Sequence, residues 1–160
     1  MTSALAIVIR SARVADAVAL NAILHDTYET TWLPRMTPAA AEVFRDEDRP
    51  AQYVASRGTE FLVAECGGEL VGFVDWEADF VNALHVRSNY ARRGIGGQLM
   101  DLVEAAMAKA GFSVARLETD TFNTQSRAFY KGRGYVEADR YPDTEWDSGF
   151  TTLLLVKALN

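Results

Sequence analysis

Leu84-His85-Val86-Arg87-Ser88-Asn89-Tyr90-Ala91-Arg92-Arg93-Gly94-Ile95-Gly96-Gly97, running on through Gln98 to Gly111, reads as a strand, a polar loop, a glycine turn and a helix. In the helical part Ile95, Leu99, Leu102, Val103, Ala106 and Ala110 recur at spacings of three and four, which predicts one apolar face. Gln98, Asp101, Glu104 and Lys109 fall on the other face, and Gly111 follows as a C-cap. Three glycines in four positions remove the Cβ atoms from the helix entrance, so backbone can approach a ligand closely. The first turn of a helix leaves N–H groups without partners, and the macrodipole adds partial positive charge there. The combination is an anion site, with phosphate its usual occupant. Arg92 and Arg93 add full charges at its rim.

Two familiar phosphate motifs do not fit. A P-loop needs Lys-Ser/Thr where Gln98-Leu99 stands. A dinucleotide fingerprint needs Gly or Ala at 99 and glycines directly behind the strand, but residues 87–93 intervene. A tight turn with no ligand stays open on these residues alone.

Ala91-Arg92-Arg93-Gly94-Ile95-Gly96 resembles the acyl-CoA-binding motif Gln/Arg-x-x-Gly-x-Gly/Ala of the GNAT N-acetyltransferase superfamily. Ala91 departs from the first position, which in the family contributes mainly a backbone N–H to the pyrophosphate. Downstream, Asn123-Thr124-Gln125-Ser126-Arg127-Ala128-Phe129-Tyr130-Lys131-Gly132-Arg133-Gly134-Tyr135 resembles the family's Asn-x-x-(Ser/Ala)-x-x-Phe-Tyr-x-x-x-Gly-Phe segment. The two segments stand in the family's order, and the resemblance covers residues from about 60 onward. It implies acetyl-CoA as co-substrate, with cofactor contacts from Leu84, His85, Val86, Ala91, Arg92, Arg93, Gly94, Ile95, Gly96, Gly97, Asn123, Ser126 and Tyr130. It also implies that the fourth and fifth strands splay apart. Pantetheine then enters the gap and bonds to the fourth strand's backbone around Leu84–Val86.

The elements follow the same plan. Ala6–Arg10 reads as a first strand. Asp16 is expected to cap a helix with Ala17, Leu20, Ile23, Leu24 and Tyr28 on one face. Thr37-Pro38 starts a second helix. The charged run 45–50 reads as a solvated turn ended by Pro50, with a helical turn over Gln52–Arg57. Glu60–Cys66 and Glu69–Trp76 read as a hairpin around Gly67-Gly68. Strands over Phe80–Val86, Ser113–Thr119, Tyr135–Arg140 and Phe150–Lys157, with a helix from Asn123 or Thr124 to Gly132–Gly134, complete a mixed α/β sheet with helices on both faces.

At 160 residues the chain is expected to form one domain, 1–160, with a substantial core. The apolar start Met1–Ile9 lacks a basic lead and is too short for a signal or spanning segment, so a cytoplasmic protein is expected. The net charge of −6 disfavours nucleic-acid binding, and no metal or membrane partner is expected. The lone Cys66 allows no internal disulfide and reads as a small core residue. Self-association into a homodimer is left open.

Acetyl transfer to an amine needs a neutral nucleophile and a protonated leaving thiol. A lysine-like amine has a pKa of ~10.4, so deprotonation at pH 7 costs roughly 4.6 kcal/mol. A base or a water chain helps carry that proton away, and a phenol can serve the thiolate. By the resemblance, Tyr130 is that acid; its structural alternative is a core tyrosine. For the base, the family often places Glu or His on the fourth strand, where alternation here presents Phe80, Asn82, Leu84 and Val86. Asn82 cannot be a base but can hold water. Glu77 ranks first as base, with Asp75 sharing its face and able to bind a cationic acceptor, and His85 on the opposite face of its own strand. The acceptor, a small-molecule or peptide amine, is expected against Tyr28, Trp32, Tyr141 and Trp146, with Asp143, Glu145 and Asp147 pairing its charge. A non-catalytic acyl-CoA-binding or regulatory module on the same fold is the alternative.

Overall fold

The β-branched and aromatic runs pair into a seven-stranded sheet in a computed structural model that describes residues 6–143 and 149–159. The strands are β1 (Ile7–Ser11), β2 (Leu62–Cys66), β3 (Glu69–Glu77), β4 (Phe80–Val86), β5 (Val114–Asp120), β6 (Val136–Pro142) and β7 (Thr151–Ala158). Their spatial order is β1-β2-β3-β4-β5-β7-β6. Neighbours are antiparallel except β4 and β5, which are parallel and matched only at Phe80–Arg116 and Val81–Leu117. Beyond those two pairs β4 follows β3 to Val86 while β5 follows β7 to Asp120. The sheet therefore opens at its middle, and both inner edges carry backbone groups with no ladder partner across the gap.

Helices cover both faces. α4 (Ile95–Lys109) makes the crossover that a parallel pair requires. With α5 (Thr124–Gly132) it covers one face, burying Ile95, Leu99, Met100, Val103, Met107 and Tyr130 with Val74, Val81 and Leu117. α1 (Ala17–Thr27) and α3 (Arg49–Arg57) cover the other, around Leu20, Ile23, Leu24, Val54 and the stacked pair Phe61–Phe73. α2 (Pro38–Glu47) adds Phe44 to that side.

Several expectations shift. On α4 the methionines Met100 and Met107 are buried and Leu102 is 45% exposed, because the buried stripe runs 95, 99, 103, 107. Asp16 does not cap α1; its carboxylate accepts from Arg10 and from the backbone N–H of Arg13. The charged run 45–50 is no open turn. α2 continues to Glu47, Asp48 alone turns in the left-handed region (φ 45°), and α3 starts at Arg49. Pro50 is tolerated there because the first helical turn needs no N–H from it. The hairpin glycines Gly67 and Gly68 both take positive φ, 61° and 83°, as a type I′ turn demands.

Candidate active site

The pairing of β3 with β4 carries a bulge at Asn82. Asp75 faces Ala83 and Trp76 faces Val81, so Asn82 is the extra residue on β4. Strict alternation is broken there. Val81, Leu84 and Val86 join the α4 core, whereas Ala83 packs with the α1–α3 core. The Asn82 amide donates to Asp75 Oδ2 (3.2 Å) and to Glu77 Oε1 (3.1 Å). Asn82 is thus turned toward the Asp75 side of β3, away from the Leu84–Val86 side on which alternation places it.

The α4 entrance is built from backbone. Gly94 caps the helix at φ 80°, Arg92 also turns at positive φ (63°), and Gln98 N–H makes the first bond back, to Gly94 O. The N–H groups of Ile95, Gly96 and Gly97 have no partner among the described residues. A Cβ on Gly96 would lie 3.4 Å from the Phe129 ring and 3.8 Å from Leu84. The missing Cβ at Gly96 therefore serves close packing on α5. The Arg93 guanidinium stacks on Tyr90, 4.8 Å from the ring centre.

On α5, Asn123 is the N-cap and accepts from Ser126 N–H at 3.1 Å. The Ser126 hydroxyl lies 2.9 Å from that of Thr119 on β5. Tyr130 is 7% exposed, edge-on to Phe129 and Tyr135, and its hydroxyl has no hydrogen-bond partner among the described residues. Burial pushes its phenol well above the usual range, so it stays protonated.

Asp75 is fully buried and accepts from Tyr53 Oη (2.6 Å), from Arg57 (2.8 and 3.1 Å) and from Asn82. No room is left on it for an acceptor; it anchors α3 to the bulge instead. Glu77 is exposed and pairs with Arg57 at 3.2 Å. His85 packs on Phe73 (5.3 Å), with its Nδ1 2.8 Å from Thr27 Oγ1. Burial pushes that imidazole down to about 4.

On the face opposite α4 the gap is spanned by a π-turn, Tyr28–Trp32, that continues α1, followed by the 3₁₀ turn Leu33–Arg35. Tyr28 and Trp32 lie 5.1 Å apart and within 6.2 and 5.9 Å of His85 on β4. From there the Trp32 indole reaches across to donate to Asp120 Oδ2 on β5 at 2.7 Å. Arg35 covers Phe122 beyond it, at 5.0 Å. Two residues back on the same face of β5, Glu118 accepts from Tyr141 Oη at 2.8 Å. Asp143 closes β6 onto β7 through its backbone, N–H to Phe150 O, while Glu145, Trp146 and Asp147 lie outside the described residues.

Sequence reasoning therefore names Tyr28, Trp32 and Tyr141 but misses Asp120 and Glu118, the carboxylates to which Trp32 and Tyr141 donate. Their signal is Arg116-x-Glu118-x-Asp120, polar positions alternating with the buried Leu117. A shallow depression of about 430 Å³ between α5 and β6–β7, lined by Arg127, Lys131, Tyr135 and Leu153, touches neither β4 nor α4.

The family model for the Acetyltransferase (GNAT) family matches this chain over residues 18–135. The chain belongs to the GNAT acetyltransferase family. Blasticidin-S acetyltransferase of Streptomyces morookaense is 35% identical over 95 residues, which are 59% of this chain and 68% of that relative. A GCN5-related N-acetyltransferase from Rhodopseudomonas palustris shares the fold at a TM-score of 0.80, with 21% identity and 99% of both chains covered. The PaiA N-acetyltransferase of Thermoplasma acidophilum, solved in complex with coenzyme A, matches at 0.76 with 20% identity, over 96% of this chain and 99% of its own.

Proposed function

We propose that this GNAT chain, as a single domain over residues 1–160, transfers the acetyl group of acetyl-CoA to a primary amine by direct attack in a ternary complex. The observation that carries the reading is the two-sided gap. Unpartnered backbone donors stand on the α4 side, and aromatic rings with carboxylates stand on the other.

The pyrophosphate sits on the N–H groups of residues 95–97, with Arg92 and Arg93 at the rim. Ala91 supports that grip with backbone alone. Pantetheine lies along the free edge of Leu84–Val86. Asn123 and Ser126 border it from α5. Tyr130 stands by the sulfur. Its raised phenol is a weaker acid than a thiol of pKa ~8.5, so it releases its proton to sulfur only as it regains one from the acylated nitrogen. Asn82 and Glu77 hold water and negative field at the bulge.

The relative's acceptor makes blasticidin S the first amine to test. The test is acetyl-CoA turnover over blasticidin S, spermidine, L-lysine, an aminoglycoside and a peptide with a free N-terminus. Amine-dependent release of CoA supports the reading. Acetyl-CoA binding with no turnover on any of them assigns the chain to non-catalytic acyl-CoA binding instead.

A further inference from the structure

Resting on that acetyl-transfer reading, we propose that Asp120 is the carboxylate that receives the acceptor's ammonium and its proton, and that the Trp32 indole N–H holds its place until the amine arrives. Asp120 lies at the open end of β5, where pairing with β4 has already ceased. Its Oδ2 takes a 2.7 Å bond from a donor on a segment that otherwise packs on β4. That bond spans the gap on the face opposite α4.

The donor is a neutral N–H, which meets a carboxylate in the direction an ammonium would. Both bonds have the ionised carboxylate as acceptor, but an ammonium adds a full positive charge that the neutral indole lacks, so the amine displaces the indole. The segment that carries Trp32 is a π-turn, a rare geometry found frequently at functional sites. The surroundings select a cation. Glu118 stands two residues away on the same face, and the rings of Tyr28, Trp32 and Tyr141 offer cation-binding faces. Partial burial and the neighbouring Glu118 and Asp143 raise the Asp120 carboxyl, which suits it to take a proton.

The step balances. Asp120 removes one proton from R–NH3+, and the freed lone pair forms the C–N bond to the thioester carbonyl. The C–S bond breaks, the second nitrogen proton reaches sulfur through Tyr130, and Asp120 releases its proton to solvent. None of the residues placed at the α4 entrance takes part.

The test pairs Asp120→Asn with Trp32→Phe, using an amine that the wild type acetylates. Asp120→Asn should lower kcat/KM for the amine at least ~100-fold while the acetyl-CoA dissociation constant stays within about twofold; a base supplies that order of acceleration. Trp32→Phe keeps an aromatic face for the cation but removes the N–H that occupies Asp120, so any loss of kcat/KM for the amine should stay below tenfold, far short of that in Asp120→Asn. In the wild type the Trp32 indole N–H resonance should move when the amine is added, and it should stay still in Asp120→Asn. Asp120→Asn activity within about threefold of wild type overturns the assignment. So does a tenfold or greater loss of kcat/KM in Trp32→Phe, which marks the bond as a structural tie; this variant decides the matter if Asp120→Asn does not fold. If the wild type acetylates none of the amines, the broader reading falls and the Asp120 assignment with it. If the wild type acts and Asp120→Asn acts equally, Asp120 alone is refuted.

Discussion

The two sides of the gap between β4 and β5 are made of different material. On the α4 side the groups offered to a ligand are main-chain N–H donors, aligned by a helix and uncovered by glycine. On the other side they are side chains: Trp32 from the π-turn, Glu118 and Asp120 from β5, Tyr141 from β6. Backbone donors are the same in every chain that keeps the turn, so that side suits an invariant ligand such as a pyrophosphate. Side chains can be exchanged without disturbing a strand, so that side suits whatever amine a given chain must select.

The proton side of this division gives the largest effect. Tyr130→Phe keeps the ring and its edge contacts to Phe129 and Tyr135 but removes the hydroxyl. Loss of a general acid should lower kcat by ~10²–10⁴-fold with acetyl-CoA affinity unchanged. Single-turnover rates that stay within about threefold of wild type would make Tyr130 a core residue and hand the proton to water.

A smaller effect concerns His85, on which Tyr28 and Trp32 of the π-turn pack. His85 is half-buried and neutral, with its pKa pushed down to about 4 by desolvation from an unfolded value near 6.5. The unfolded chain therefore binds the proton first as pH falls. Stability from this group is fully present above about pH 6.5 and is lost on descending toward pH 4, to a limit of about 3 kcal/mol. Urea unfolding midpoints compared at pH 7 and pH 4.5 should drop less in His85→Gln than in wild type. An identical drop in both would show that His85 charges in place without cost.

Legibility in the sequence follows the same division. The sheet, the crossover helix and the glycine entrance were readable because each is a short contiguous pattern with a local physical cause. Asn123 could be read as a cap for the same reason, and it accepts from Ser126 N–H. The bulge at Asn82 has no local signature, so alternation placed Asn82 with Leu84 when it turns toward Asp75. Asp75 and Glu77 looked equivalent on one strand face, yet Arg57 and Tyr53, from a helix 18 or more residues earlier, bury one and leave the other exposed. Asp120 went unnoticed because its meaning lies in Trp32, 88 residues away. Side-chain sites assembled across segments carry no period for a sequence reading to find.

On the proposed reading, the backbone of the α4 entrance holds acetyl-CoA and side chains across the gap hold the amine. Calorimetric titration of acetyl-CoA into wild type, Gly96→Val and Asp120→Asn tests it most directly. A valine at 96 must displace Phe129 and cover the donors, since even its Cβ sits at 3.4 Å from that ring. Affinity should fall on the order of 100-fold in Gly96→Val, about 2.7 kcal/mol, and stay at the wild-type value in Asp120→Asn. Wild-type affinity in a folded Gly96→Val protein, or a matching loss in Asp120→Asn, would contradict the account.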